Sequence, residues 1–87
     1  MMIHEQAQQL IARWIEPHPS KRGVAEARLK DSKIAVWAII GQLGGEQGHV
    51  QRVAEEYNIS PEAVEATLAY YGEHRAKIDE RLAANAA

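Results

Sequence analysis

Residues 50–71 constrain the fold most strongly, because they carry the start and stop signals of two helices joined by a tight turn. Asn58 suits the left-handed conformation that ends a helix. Ser60 is a good N-cap, and Pro61 fits the first position of a second helix. The first helix is predicted by an apolar face at helical spacing: Val50, Val53, Ala54 and Tyr57. The sequence therefore predicts a helix-turn-helix over residues 50–71.

The second helix of this motif is acidic where a helix that reads DNA is usually basic. The spacing predicts an inward stripe of Val64, Leu68 and Tyr71. The outward face would then consist of Ser60, Pro61, Glu62, Glu65, Ala66 and Ala69. Direct readout of bases normally uses Arg, Lys, Asn or Gln, and none of these is present on that face. We therefore do not expect this helix to read the major groove.

Three further helices are predicted from apolar periodicity. An amphipathic helix over residues 1–16 ends before Pro17, because the residue before proline is disfavoured in helical geometry. The apolar stripe of this helix is expected to pack on the protein's own core. The alternative is that the stripe docks on a partner protein. Residues 36–43 are apolar on nearly all sides and predict a buried helix, followed by a glycine-rich loop over 44–48. A C-terminal helix is predicted over residues 73–84.

Residues 24–36 predict a short β-ribbon. Ala25, Ala27 and Leu29 alternate with polar residues, which is the period of a half-buried strand. Residues 30–33 suit a turn, and 34–36 would form the returning strand. A two-stranded ribbon is weak alone and needs a covering helix or a second copy. The predicted fold is mainly α: a small helix-turn-helix domain with a short two-stranded β-ribbon and an N-terminal amphipathic helix.

The 87 residues are expected to form a single domain, 1–87. A chain of this length buries only about 60–65% of its unfolded surface, so a homodimer or another stable partner is expected. The chain has no cysteine, which excludes disulfides and thiolate metal sites. No apolar run approaches the length of a membrane span, and the N-terminus lacks signal-peptide features. We expect a cytoplasmic protein without a membrane partner.

The sequence contains no recognisable catalytic constellation. The four histidines, at positions 4, 18, 49 and 74, do not have the spacing of a zinc-binding helix. The glycines at 44, 45 and 48 match neither a phosphate-binding loop nor a dinucleotide fingerprint. We expect no enzyme, no catalytic residues, no cofactor and no metal.

Two groups of residues are candidates for binding. The first is the one dense basic cluster, which is either a DNA-binding ribbon surface or a solvated face: Lys21, Arg22, Arg28, Lys30 and Lys33. The second is a predicted protein-binding surface on the C-terminal helix: Tyr70, Tyr71, Arg75, Ile78 and Leu82. Aromatic and arginine side chains are common interface anchors. The alternative for Tyr71 and Ile78 is an ordinary place in the core.

Residues 15–87 resemble a family of small bacterial proteins, the domain of unknown function numbered four-thirty-three. The resemblance lies in residues 34–40, 53–64, 66–71 and 78–85. Residues 20–29 depart from it, because many members carry Gly-x-Pro and Gly-Thr-Arg there. The resemblance implies a helix-turn-helix-like fold and an antitoxin of the VapB type, which neutralises a PIN-like ribonuclease toxin and often represses the shared operon by binding operator DNA. The alternatives are a stand-alone DNA-binding regulator and a dimeric scaffold.

Overall fold

The computed structural model describes residues 3–46 and 49–86. The elements are helix α1 (His4–Trp14), strand β1 (Ile15–Glu16), a single 3-10 turn (Val24–Glu26), strand β2 (Arg28–Leu29) and helices α2 (Val36–Glu46), α3 (Val50–Tyr57), α4 (Pro61–Glu73) and α5 (Arg75–Ala86). The mainly helical fold with a small two-stranded antiparallel sheet is confirmed. Among the described segments, no helix is both long enough and apolar enough to cross a bilayer.

The local signals of the helix-turn-helix are confirmed. Asn58 ends α3 in the left-handed conformation, with φ 56° and ψ 50°. Asparagine adopts this conformation at a lower energetic cost than most other residues except glycine. The Ser60 hydroxyl accepts a hydrogen bond of 3.1 Å from the backbone N–H of Glu62, which satisfies one free donor of α4. Pro61 occupies the first turn of α4, where its missing N–H costs nothing.

The rotation of α4 differs from the prediction. Its buried residues are Ala63, Val64, Ala66, Thr67 and Tyr70. Leu68, predicted to point inward, is 38% exposed, whereas Ala66, predicted to point outward, is completely buried. The physical reason is that α4 is the central helix and contacts all four other helices. Small side chains allow these neighbours to approach its backbone, so the buried face does not follow its largest apolar residues.

Helix α1 packs along α4 in the opposite direction. The Gln8 amide donates to the Glu73 carboxylate near one end of the pair. At the other end, the Trp14 indole N–H donates to Glu62 Oε1 at 2.9 Å. Leu10 and Ile11 lie half-buried between them against the core. The expectation that the stripe of α1 packs on the protein's own core is confirmed.

The predicted ribbon over 24–36 is wrong in its pairing. Strand β2 pairs with β1, with Ile15 opposite Leu29 and Glu16 opposite Arg28. The expected returning strand contributes one isolated bridge, between Arg28 and Ala35. Gly23, with φ 102°, precedes the 3-10 turn that replaces the start of the ribbon. Because α1 leads directly into β1, the upstream segment reaches β2 and occupies its edge.

Helix α2 provides the centre of the core, as predicted for residues 36–43. Its buried residues include Val36, Ile39, Ile40 and Leu43. The helix continues to Glu46, so the predicted loop over 44–48 is wrong for residues 44–46. Residues 47 and 48 lie outside the described residues. The C-terminal helix predicted over 73–84 is present as α5, which begins after a break at His74.

Candidate protein-binding surface

Two of the five residues predicted to bind a protein lie in the core. Ile78 is completely buried and Tyr70 is 9% exposed, so neither presents its side chain to a partner. The Tyr70 hydroxyl donates to the carbonyl oxygen of Val24 at 2.7 Å. Burial raises the pKa of this hydroxyl. These two residues hold α4 and α5 in the fold, which corrects their predicted role.

The other three residues lie at the surface between α4 and α5. The Tyr71 hydroxyl donates to Asp79 Oδ1 at 2.6 Å, and this hydrogen bond raises the pKa of the tyrosine. The Arg75 guanidinium lies 4.6 Å from the centre of the Tyr71 ring. Leu82 is half-buried one turn beyond Ile78. The ring of Tyr71 is thus held in a fixed orientation by neighbours on α5.

An apolar groove runs between α2, α4 and α5, with a volume of about 380 Å³. This surface is called the apolar groove below. Its lining consists of Ile40, Gly41, Leu43, Gly44, Leu68, Tyr71 and Leu82. Leu68 is one of the few large apolar side chains that the described structure leaves exposed. No side chain that lines the groove carries a charge. The exposed apolar surface of this groove is available to apolar side chains of another macromolecule.

The glycines of α2 shape one wall of this groove. A Cβ atom at Gly41 would lie 3.2 Å from Cδ2 of Leu82, so the glycine allows α5 to pack closely against α2. A Cβ atom at Gly44 would meet nothing within 4 Å, so this position is open toward the groove. The sequence pattern predicted Gly44 in a loop and Leu68 in the core, and so did not place the two residues together beside a groove. Their shared place on one surface depends on helix rotation.

Three of the five predicted DNA-binding cations are engaged within the chain. Arg28 Nε and Lys33 Nζ lie 2.8 and 3.0 Å from Glu16 Oε2. Hydrogen bonds from Lys33 and Arg28 lower the pKa of the Glu16 carboxyl. Lys30 Nζ donates to the carbonyl oxygen of Ala12 at 2.6 Å. These contacts fasten β2 and the turn that follows it to α1 and β1.

The remaining two cations, Lys21 and Arg22, are exposed on the loop between β1 and the 3-10 turn. This loop covers a second groove, of about 750 Å³, which we call the loop groove. The structure thus separates the five cations into a paired group at the sheet and an exposed pair on the loop. Sequence proximity alone could not distinguish these two groups.

The N-terminal part of α4 is covered by α1. Glu62 Oε1 accepts hydrogen bonds from the Trp14 indole N–H and from Arg13 Nη1 at 2.7 Å. The Trp14 bond and the Arg13 bond lower the pKa of Glu62. Gln6 and Gln9 of α1 lie beside Glu62 and Glu65. Part of the face that would approach DNA in a helix-turn-helix reader is therefore covered by α1, whereas Ser60, Pro61 and Glu65 remain exposed.

A polar cluster without a signal in the sequence joins α5 to the 3-10 turn. Arg81 Nε lies 2.9 Å from Glu26 Oε2, and its guanidinium lies 4.3 Å from the centre of the Trp37 ring. Both charged side chains are mostly buried. Trp37 thereby has a structural partner at the edge of the core. Within residues 3–46 and 49–86, no group of three or more His, Asp or Glu side chains is placed to hold a metal ion.

Comparison of this chain with protein-family models, with curated proteins and with solved structures finds no match.

Proposed function

We propose that this chain is a non-enzymatic, antitoxin-like protein that binds and neutralises a PIN-like ribonuclease toxin. The observation that carries the proposal is the exposure of Leu68 in the apolar groove between α2, α4 and α5. The identity of the toxin class rests on the resemblance of residues 15–87 to the family named above. The groove supports the wider part of the proposal, which is that the chain acts by binding another protein.

The shape and composition of the apolar groove fit an apolar segment of a partner. Helix-in-groove recognition places the apolar face of one helix into a concave apolar surface of another protein. Leu68 and Leu82 supply branched side chains for such packing, and Tyr71 supplies an aromatic ring held by Arg75. Aromatic and arginine residues often carry much of the energy at protein interfaces. The open position at Gly44 leaves room for close approach.

Recognition of operator DNA receives less support from the contacts. Arg28 and Lys33 would have to leave Glu16 before they could neutralise a phosphate. Glu62 would bring a carboxylate toward the DNA, and α1 covers this part of α4. We therefore assign the primary activity to protein binding, and the fall of DNA affinity with salt would measure any phosphate contacts.

The test is co-expression with the product of the adjacent reading frame, scored by growth and by co-purification. Leu68→Glu places a carboxylate in the apolar groove. Ala76→Glu is the matched control, because Ala76 is exposed on α5 and does not line the groove. We expect the wild type and Ala76→Glu to restore growth and retain the partner, and Leu68→Glu to lose both. Equal neutralisation by both variants would contradict the assignment of the groove.

The chain alone provides a further control for this experiment. Sedimentation of the purified wild type and of Leu68→Glu shows whether the apolar groove is instead covered by a second copy. We expect the same mass for both proteins. A wild-type dimer that becomes a monomer on Leu68→Glu would assign the groove to self-association and overturn the proposed partner.

A further inference from the structure

We propose that the loop groove is a second binding site, which takes an acidic and partly apolar peptide segment of another protein. The site lies between α1, the loop over residues 17–23 and α4. It shares no lining residue with the apolar groove. The inference rests on the shape and charge of this site and does not require the proposed antitoxin activity.

The floor of the loop groove is apolar. It is formed by Ile11, Ile15, Val24, Ala27 and Tyr70. Val24 is 39% exposed, which makes it another large apolar side chain accessible from solvent. The volume of about 750 Å³ is within the range of sites that bury a substantial ligand. Ile15, Ala27 and Tyr70 are already buried in the core, so apolar side chains of a bound segment would cover Val24 and the half-buried Ile11.

The rim of the loop groove is cationic. Lys21 and Arg22 are exposed, and neither side chain makes an ion pair or hydrogen bond within the described part of the chain. The one carboxylate in the lining, Glu16, already pairs with two cations. The lining thus contains two cations against this single carboxylate, in a chain whose net charge is −2. The site is therefore the positive region of an acidic protein, and its charge fits carboxylates.

The loop that carries these cations is held in shape before any ligand binds. His18 Nδ1 accepts hydrogen bonds from the backbone N–H groups of Ser20, at 3.1 Å, and Lys21, at 3.0 Å. At the far end, the Tyr70 hydroxyl fixes the carbonyl of Val24. Gly23 makes the intervening turn with φ 102°, a backbone angle that residues other than glycine rarely adopt. Such preorganisation reduces the entropy lost on binding.

A peptide fits this combination better than nucleic acid does. The backbone of a DNA duplex is charged throughout and offers nothing apolar to cover Val24 and Ile11. A segment with alternating apolar and acidic residues places one side-chain type on the floor and the other at the rim. The β1 edge does not favour strand addition, because Pro17, directly after β1, has no N–H to donate. Recognition would therefore depend on side chains.

The test uses the purified full chain and a fluorescein-labelled octapeptide of alternating leucine and glutamate, followed by fluorescence anisotropy. Lys21→Gln should weaken binding by about threefold, as expected for one exposed ion pair, and the double variant with Arg22→Gln by about tenfold. Lys77→Gln is the matched control, since Lys77 is exposed on α5 outside the groove. It should leave the affinity unchanged.

Two further comparisons separate the specific site from general charge attraction. The same peptide with glutamine in place of glutamate should bind more weakly, because it lacks the carboxylates. His18→Leu should weaken binding, whereas His18→Asn should retain it, because the asparagine carbonyl can accept the same backbone hydrogen bonds. Equal losses from Lys21→Gln and Lys77→Gln would overturn the proposal. Absence of peptide binding up to about 1 mM, or tighter Lys21-dependent binding of a duplex DNA probe, would also overturn it.

Discussion

Truncation of two aliphatic side chains tests the arrangement of α4 and α5. Ile78 is completely buried, and Ile78→Ala removes three carbon atoms from a closely packed core. Such a change lowers the free energy of unfolding by about 3 kcal/mol, through lost transfer energy and the cavity left behind. For a domain of this size, that corresponds to a fall in Tm of about 12–24 °C. Ile78→Val, which costs about 1 kcal/mol, provides a milder variant if the alanine variant fails to fold.

Leu68→Ala removes a side chain of similar size from a position that is 38% exposed. The apolar groove is already open to water there, so no new cavity is enclosed. The expected cost is the partial transfer energy alone, about 1 kcal/mol. The corresponding fall in Tm is about 4–8 °C. The structure therefore predicts that the isoleucine variant loses about three times as much stability as the leucine variant.

Thermal unfolding followed by circular dichroism at 222 nm, with urea unfolding as a second measure, gives both values. If Val64, Leu68 and Tyr71 instead formed a stripe facing the core, Leu68→Ala would lose as much stability as Ile78→Ala. A loss for Leu68→Ala as large as that for Ile78→Ala would show that α4 is rotated differently, and the apolar groove would not exist in the described form.

Three further predictions concern local features. The pKa of Glu16 is lowered by Lys33 and Arg28, so this carboxylate binds fewer protons when folded than when unfolded. The stabilisation that this carboxylate provides is present above the unfolded carboxyl pKa and is lost as the pH falls below about 4. In urea titrations over this pH range, the unfolding free energy of Glu16→Gln should therefore decline less steeply than that of the wild type. Asn58→Ala should cost about 1 kcal/mol and Asn58→Gly less, because the residue has φ 56°; equal urea midpoints would contradict this. Gly72→Ala should raise the unfolding free energy by about 0.5–1 kcal/mol, since its Cβ would meet nothing within 4 Å, and a lower Tm would refute this.

Features fixed by neighbouring residues could be predicted from the sequence. Asn58, Ser60 and Pro61 act through their own backbone conformations and nearby hydrogen bonds, so their types were sufficient to place the turn between α3 and α4. The apolar run of α2 and the stripe of α1 were also sufficient, because each forms a continuous face. The turn after β2 forms at the predicted place, with Leu29 N–H donating to the carbonyl of Ile34 at 2.9 Å.

Features set by distant partners could not be predicted in this way. The partner of β2 lies upstream at β1, and no residue near β2 indicates this choice. The buried face of α4 depends on four surrounding helices, which select Ala66 and Thr67 over Leu68. Glu16 and Arg81 each form ion pairs with segments distant in sequence, and no periodic pattern in the sequence predicts these pairs. The candidate binding surfaces follow from these same choices, so the sequence predicted only part of each.

The measurement that most directly tests the central claim is the dissociation constant of the purified chain and the product of the adjacent reading frame. It would be determined by isothermal titration calorimetry for Leu68→Glu and Ala76→Glu beside the wild type. We expect Leu68→Glu to weaken binding by at least about 30-fold, the effect of a typical hot-spot residue, and Ala76→Glu to bind like the wild type. Wild-type affinity for Leu68→Glu, or no interaction with the wild-type chain, would contradict the account of the apolar groove as a protein-binding site.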